Sequence, residues 1–132
     1  MANLTTGRAD ERQEGILNNV KIAASTTIYK GSIVAFNTAG YAVKGADTAS
    51  FVFAGIAMET VSNGTVAGEK EVRVWNEGIV ELNCASATQA WVGQSVYIVD
   101  DNTVALAATT TNDVIVGKVV GFVSATKVRV KI

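Results

Sequence analysis

The chain contains no histidine, no proline and a single cysteine. Without histidine, neither Ser-His-Asp nor Cys-His activation of a nucleophile is available, and the commonest metal ligand is gone as well. A lone cysteine, Cys84, cannot close an intramolecular disulfide. No base or cation stands beside it in sequence, so it reads as a small apolar side chain buried in Val80–Ala85. Without proline, sheet edges cannot be blocked by that residue, and closure or subunit contact must protect them.

Excess charge is also lacking. There are 11 basic and 12 acidic residues, for a net charge of −1. Nucleic-acid affinity comes largely from neutralised phosphates, so no nucleic-acid partner is expected. The longest apolar stretch, Val114–Val123, is broken by Gly117, Lys118 and Gly121 and is too short to span a bilayer, so no membrane partner is expected either. Met1–Ile16 carries Arg8, Asp10, Glu11, Arg12 and Glu14 without the apolar centre of an export signal. Synthesis and folding in a cytoplasm are expected.

What the chain does have is valine, isoleucine, threonine and alanine. The hydrophobic share is 48% and the charged share 17% over 132 residues. That is too apolar for a disordered chain and long enough for one domain with a core. The low charge points to buried subunit contacts.

The apolar residues are arranged in a near-repeat. Lys30-Gly31-Ser32-Ile33-Val34 begins a run that reaches Val52-Phe53-Ala54-Gly55, and Val92-Gly93-Gln94-Ser95-Val96 begins one that reaches Val114-Ile115-Val116-Gly117. In both, the two glycines are 24 residues apart, and a Val-Arg-Val strand follows, Val72–Val74 in the first and Val128–Val130 in the second. A repeat of this size is one supersecondary unit. Gly31 and Gly93 fall at strand starts, where a turn takes positive φ. Gly55 and Gly117 fall inside apolar strands, where glycine marks a bulge or a barrel corner.

From Val20 onward the pattern is strand and turn. Expected strands are Val20–Ala24, Ile28–Asn37, Tyr41–Val43, Phe51–Met58, Glu71–Trp75, Ile79–Leu82, Gln94–Val99, Thr103–Leu106, Val114–Phe122 and Lys127–Ile132. Ser62-Asn63-Gly64-Thr65 predicts a tight hairpin. The fold class is all-β: a small β-barrel or β-sandwich of about ten short strands with an internal pseudo-twofold repeat. Residues 19–132 form this domain. Residues 1–18 are polar and without strand alternation, and read either as a frayed terminus or as an arm that orders against a partner.

No catalytic residue, cofactor or metal site is assigned. Asp100-Asp101-Asn102 is a turn and lacks the spacing of a calcium loop. Glu59, Glu69, Glu71, Glu77 and Glu81 read as solvated charges rather than a glycosidase pair. Trp75 and Trp91 lie at strand ends, where a rim or interface role fits. Lys127, Arg129 and Lys131 share one face of the last strand, with Val128, Val130 and Ile132 on the other. That row is either an ordinary solvated face or a dock for an acidic partner.

Five segments carry a family resemblance: Tyr29-Lys30-Gly31-Ser32-Ile33-Val34, Val52-Phe53-Ala54-Gly55-Ile56-Ala57, Ala90-Trp91-Val92-Gly93-Gln94-Ser95-Val96-Tyr97, Ile115-Val116-Gly117-Lys118-Val119 and Lys127-Val128-Arg129-Val130. In this order they resemble the small decoration, or cement, proteins that stud the capsids of tailed bacteriophages. The resemblance implies a structural virion protein on the outer capsid surface. It implies homotrimers at threefold and quasi-threefold sites that bridge and stabilise the major capsid protein, with a terminal arm reaching a neighbouring subunit. Candidate interface residues are Arg8, Asp10, Arg12 and Glu14 of the arm, Trp75, Trp91, and the basic row Lys127, Arg129 and Lys131. The rival of a different class is a carbohydrate- or host-surface-binding module that stacks glycans on Trp75, Trp91, Tyr29, Tyr41 and Tyr97.

Overall fold

The computed structural model describes residues 5–6 and 15–132, and the arm candidates Arg8, Asp10, Arg12 and Glu14 lie outside them. The described residues form twelve strands: β1 (Leu17–Lys21), β2 (Thr27–Ile28), β3 (Ile33–Phe36), β4 (Ala42–Lys44), β5 (Val52–Ala57), β6 (Val61–Ser62), β7 (Glu71–Trp75), β8 (Ile79–Cys84), β9 (Ser95–Ile98), β10 (Thr103–Ala105), β11 (Ile115–Ser124) and β12 (Lys127–Lys131). One short 3-10 turn, Gln89–Trp91, precedes β9. The protein is all-β with a small closed barrel, as its β-branched composition and turn spacing require.

The near-repeat is a repeat of architecture. The first sheet has the order β1-β7-β5-β3-β4, and the closed barrel runs β10-β8-β12-β11-β9. Position 31 matches 93, 33 matches 95 and 55 matches 117, each 62 residues on. The same step carries β1 onto β8, so the duplicated unit begins earlier than its glycines reveal. β12 answers to β7: Leu17 pairs with Trp75, and Ile79 with Lys131. The units differ in closure. In the second, β10 pairs in parallel with β8 through Thr103–Asn83 and Val104–Cys84. In the first, the corresponding seam is one parallel bridge, Ile22–Ala42.

Each unit has a core. Val20, Ile22, Ile28, Val34, Ala42, Ala54, Ala57, Val72 and Val74 fill the first. Leu82, Cys84, Val96, Ile98, Val104, Val116, Val119, Val128 and Val130 are central to the second, which also takes in Ile33, Ala35 and Ile56 from the first unit. Side chains alternate across a strand, so β3 sends Val34 into one core and Ile33 and Ala35 into the other. β3 and the Ala54–Ala57 part of β5 thus form a wall buried on both faces, which suits their apolar runs. The wall is pinned at its edge by the Ile33 N–H, which donates to the Asp101 carbonyl at 2.7 Å.

The glycines behave as their positions require. Gly31 and Gly93 turn the chain with φ of 85° and 88°. At Gly55 the β3–β5 register shifts, and at Gly117 the β9–β11 register shifts, so both mark bulges. A Cβ at Gly55 would collide with the Trp75 carbonyl, and one at Gly117 with the Lys131 carbonyl. The two collisions fall at matching places in the two units.

Three local expectations differ from the structure. The first strand runs Leu17–Lys21 rather than Val20–Ala24. Ile28–Asn37 is two strands, because the positive-φ turn at Gly31 separates β2 from β3. Ser62–Thr65 is not a tight hairpin: the connection between β6 and β7 is a longer loop, and its positive-φ glycine is Gly68. The reason lies in Asn63. Its amide turns inward and donates to the carbonyls of Ile22 (3.0 Å), Ala23 (3.0 Å) and Val66 (3.1 Å). Folding the loop around that amide gives the Ala23 carbonyl its donor and adds a second one to Ile22 and Val66, whose carbonyls also accept the N–H groups of Gly68 and Glu69.

Candidate functional site

Strand alternation puts the two Val-Arg-Val strands in the same posture. On β7, Val72 and Val74 are fully buried while Glu71, Arg73 and Trp75 face outward. On β12, Val128 and Val130 are fully buried while Arg129 and Lys131 face outward, with Lys127 partly covered. Ile132 is partly buried, against the second core.

The outward face of β1–β7 is an ordered ladder. Leu17 stands opposite Trp75, Asn19 opposite Arg73 and Lys21 opposite Glu71. Its upper rung is apolar and open: Trp75 is 41% exposed, and Ile16 and Leu17 are exposed beside it. The Asn76 N–H donates to the Ile16 carbonyl at 3.0 Å, tying the chain before β1 to the turn after β7. That turn, residues 76–78, leads directly to Ile79, which is 61% exposed. Single exposed apolar residues are ordinary; here a cross-strand apolar pair and its neighbours are exposed together.

Trp91 is placed differently. It lies in the 3-10 turn, partly buried, and packs against the second core. The structure therefore separates the two tryptophans by role: Trp75 is an outward handle and Trp91 a support. Tyr41 and Tyr97 are partly buried as well. Tyr29 is 55% exposed, with the Lys44 ammonium 5.4 Å from its ring centre. It borders an open hollow of about 390 Å³ shared with Lys30, Gly31, Ser32, Asp101 and Asn102, where the two units meet. The Ser32 hydroxyl in this wall is buried without a protein partner.

Titratable groups are tied to architecture. Glu59, Glu69, Glu71, Glu77 and Glu81 are all exposed. Asp47 reaches from the first unit into the loop before β11, where its carboxylate accepts the N–H groups of Thr111 and Asn112, each at 2.8 Å. Those two bonds hold its pKa below the ordinary aspartate value. Desolvation raises the pKa of the buried Cys84 thiol. Among the described residues no group of three or more His, Cys, Asp or Glu is placed to hold a metal ion, and no helix is long and apolar enough to cross a membrane.

No family model, curated protein or solved structure matches the chain.

Proposed function

We propose that this chain is a structural virion protein that seats on the outer surface of a mature tailed-phage capsid as a homotrimer and bridges major capsid subunits. The observation that carries the reading is the outward Leu17–Trp75 pair, flanked by Ile16 and Ile79, on a doubly cored β scaffold. Exposed aromatic and aliphatic side chains on a rigid frame are what interface anchors require. Four of the segments that resemble decoration proteins fall on matching elements of the two units, the turn before β3 and the one before β9, then β5 and β11; the fifth is β12.

The mechanism is mass action. A protein that binds the mature, expanded shell and not its immature or unfolded states stabilises that shell, and more so as its free concentration rises above Kd. Three linked copies raise the effective concentration of every contact, so weak individual docks hold firmly together. Mixing the purified protein with undecorated shells, then measuring co-sedimentation and shell melting, tests the reading. Bound protein and a raised shell melting temperature are expected; shells that take up none overturn it.

A second reading draws on Tyr29. Its open ring beside Asp101 and Asn102 in the hollow between units offers stacking and hydrogen bonding of the kind sugars use. A glycan titration that perturbs Tyr29 would favour it.

A further inference from the structure

The β11–β12 hairpin, residues 115–132, holds Lys118, Lys127, Arg129 and Lys131 and no acidic residue. Register shows how these cations are arranged. β12 lies between β8 and β11. Toward β11, Lys131 is opposite Lys118, Arg129 opposite Gly121 and Lys127 opposite Ser124. Toward β8, Lys131 is opposite Ile79, Arg129 opposite Glu81 and Lys127 opposite Asn83. Because Val119, Val128 and Val130 are buried, these residues all belong to the outer face. Rungs two residues apart are about 7 Å apart, so the row from Lys127 to Lys131 spans about 13 Å.

Three features are not what an ordinary solvated face requires. Lys118 and Lys131 are directly opposed, and like charges in that relation destabilise a sheet. Arg129 has an acidic neighbour across β8, yet its guanidinium lies on the other side, over Gly121: a Cβ there would come within 2.7 Å of the guanidinium nitrogens. Glycine at 121 leaves room for Arg129 to lie over β11, away from Glu81. Finally, the two bulges that β11 makes against β12 turn valines outward. The register shifts at Val120 and at Val123, and both are exposed. Bulges re-aim side chains in this way.

We infer that the outer face of β8, β12 and β11 is a dock for an acidic protein surface that also carries apolar side chains. The carboxylates would neutralise Lys118, Arg129 and Lys131, and the apolar groups would cover Val120, Val123 and Ile79. The interleaved valines and isoleucine favour a protein over a nucleic acid, whose backbone offers charge alone and whose bases stack on aromatics. The inference rests on the capsid reading and names the chemistry of the shell surface that this face meets.

The test uses three variants: Lys118→Glu alone, Lys118→Glu with Lys131→Glu, and Gly121→Val. Opposing a lysine with glutamate removes the repulsion, so the single variant Lys118→Glu melts at or above the wild-type temperature. The double variant loses about tenfold or more in shell uptake at low salt, because a charge facing like charge is repelled. Wild-type uptake falls as salt rises. If wild-type binds shells and the double variant binds them equally well, the dock is overturned while the capsid reading stands. If wild-type binds no shell, both fall together. If wild-type binds duplex DNA as tightly as shells at the same salt, the assignment to an acidic protein is overturned. Gly121→Val displaces Arg129, and uptake reduced at an unchanged melting temperature supports the dock.

Discussion

Asp47 and Asn112 bind each other twice across the junction of the two units. The Asp47 carboxylate accepts the Asn112 main-chain N–H at 2.8 Å, and the Asn112 side-chain amide donates back to the Asp47 carbonyl at 2.9 Å. With the third bond from Thr111, one aspartate clasps a loop that is 64 and 65 residues away in sequence.

The clasp carries a pH dependence whose sign is fixed. The folded pKa of Asp47 is lowered, so its contribution is whole above the ordinary aspartate value of about 4 and is lost as pH falls through the lower folded value. Melting followed from neutral to acidic pH should fall in that window. Asp47→Asn should melt lower at neutral pH and lose this part of the acid dependence. The Thr111 and Asn112 amides should then exchange faster with deuterium. An unchanged acid limb in the variant would show that the clasp is not the titrating element.

Asn63 is the second junction the fold relies on, within the first unit. Asn63→Ala removes three hydrogen bonds at once and leaves the Ala23 carbonyl without a donor, while Ile22 and Val66 keep those from Gly68 and Glu69. A loss of about 1–3 kcal/mol is expected, measured by denaturant unfolding. Asn63→Asp should cost more, since it sets a carboxylate against three carbonyl oxygens.

Gly55 and Gly117 should respond alike to alanine. Gly55 has φ of 146°, and at both positions a Cβ meets the carbonyl of a neighbouring strand. Each substitution should destabilise by about 1–3 kcal/mol, through displacement of the strand ends at Trp75 and Lys131. Gly31→Ala, with open space around its Cβ, tests backbone conformation alone and should cost less.

Trp75 and Trp91 should separate function from stability. Trp75→Ala removes an outward side chain and should leave folding nearly unchanged while weakening shell uptake. Trp91→Ala removes a side chain packed on the core and should lower stability by about 3 kcal/mol or less, because Trp91 is only partly buried. Unfolding curves and co-sedimentation on the same preparations distinguish the two effects.

Cys84 should be silent toward thiol reagents in the native protein. It is buried and its thiol pKa is raised, so little thiolate is present. Reaction should appear only with unfolding, which makes labelling rate a probe of the second core. Rapid labelling of the folded protein would contradict this placement.

Much of the fold was legible because alternation and turn chemistry are local. Val72 and Val74, Val128 and Val130, the positive-φ glycines and the bulge glycines all lie where their residue types direct. What was hidden depends on distant partners. Leu17–Lys21 and Ile79–Cys84 share little beyond alternation, so the kinship of β1 and β8 emerges only from their equivalent pairings. Asn63-Gly64 looks like a hairpin tip until the amide finds carbonyls from residues 22 and 23. Of the candidate site, the basic row on β12 was readable, but Lys118, Gly121 and the two outward valines join it only through a bulged register. Trp91 could not be told from Trp75 because core contact is not written in strand-end position.

Trp75 and Lys131 occupy the same place in the two halves, each at the end of its strand and each with its carbonyl against a bulge glycine. A duplicated scaffold thus offers every surface position twice, and this chain has filled one with a greasy ring and the other with a cation. The two halves share their bulges and pairings but not their chemistry. A molecule built this way has a front and a back despite its internal likeness.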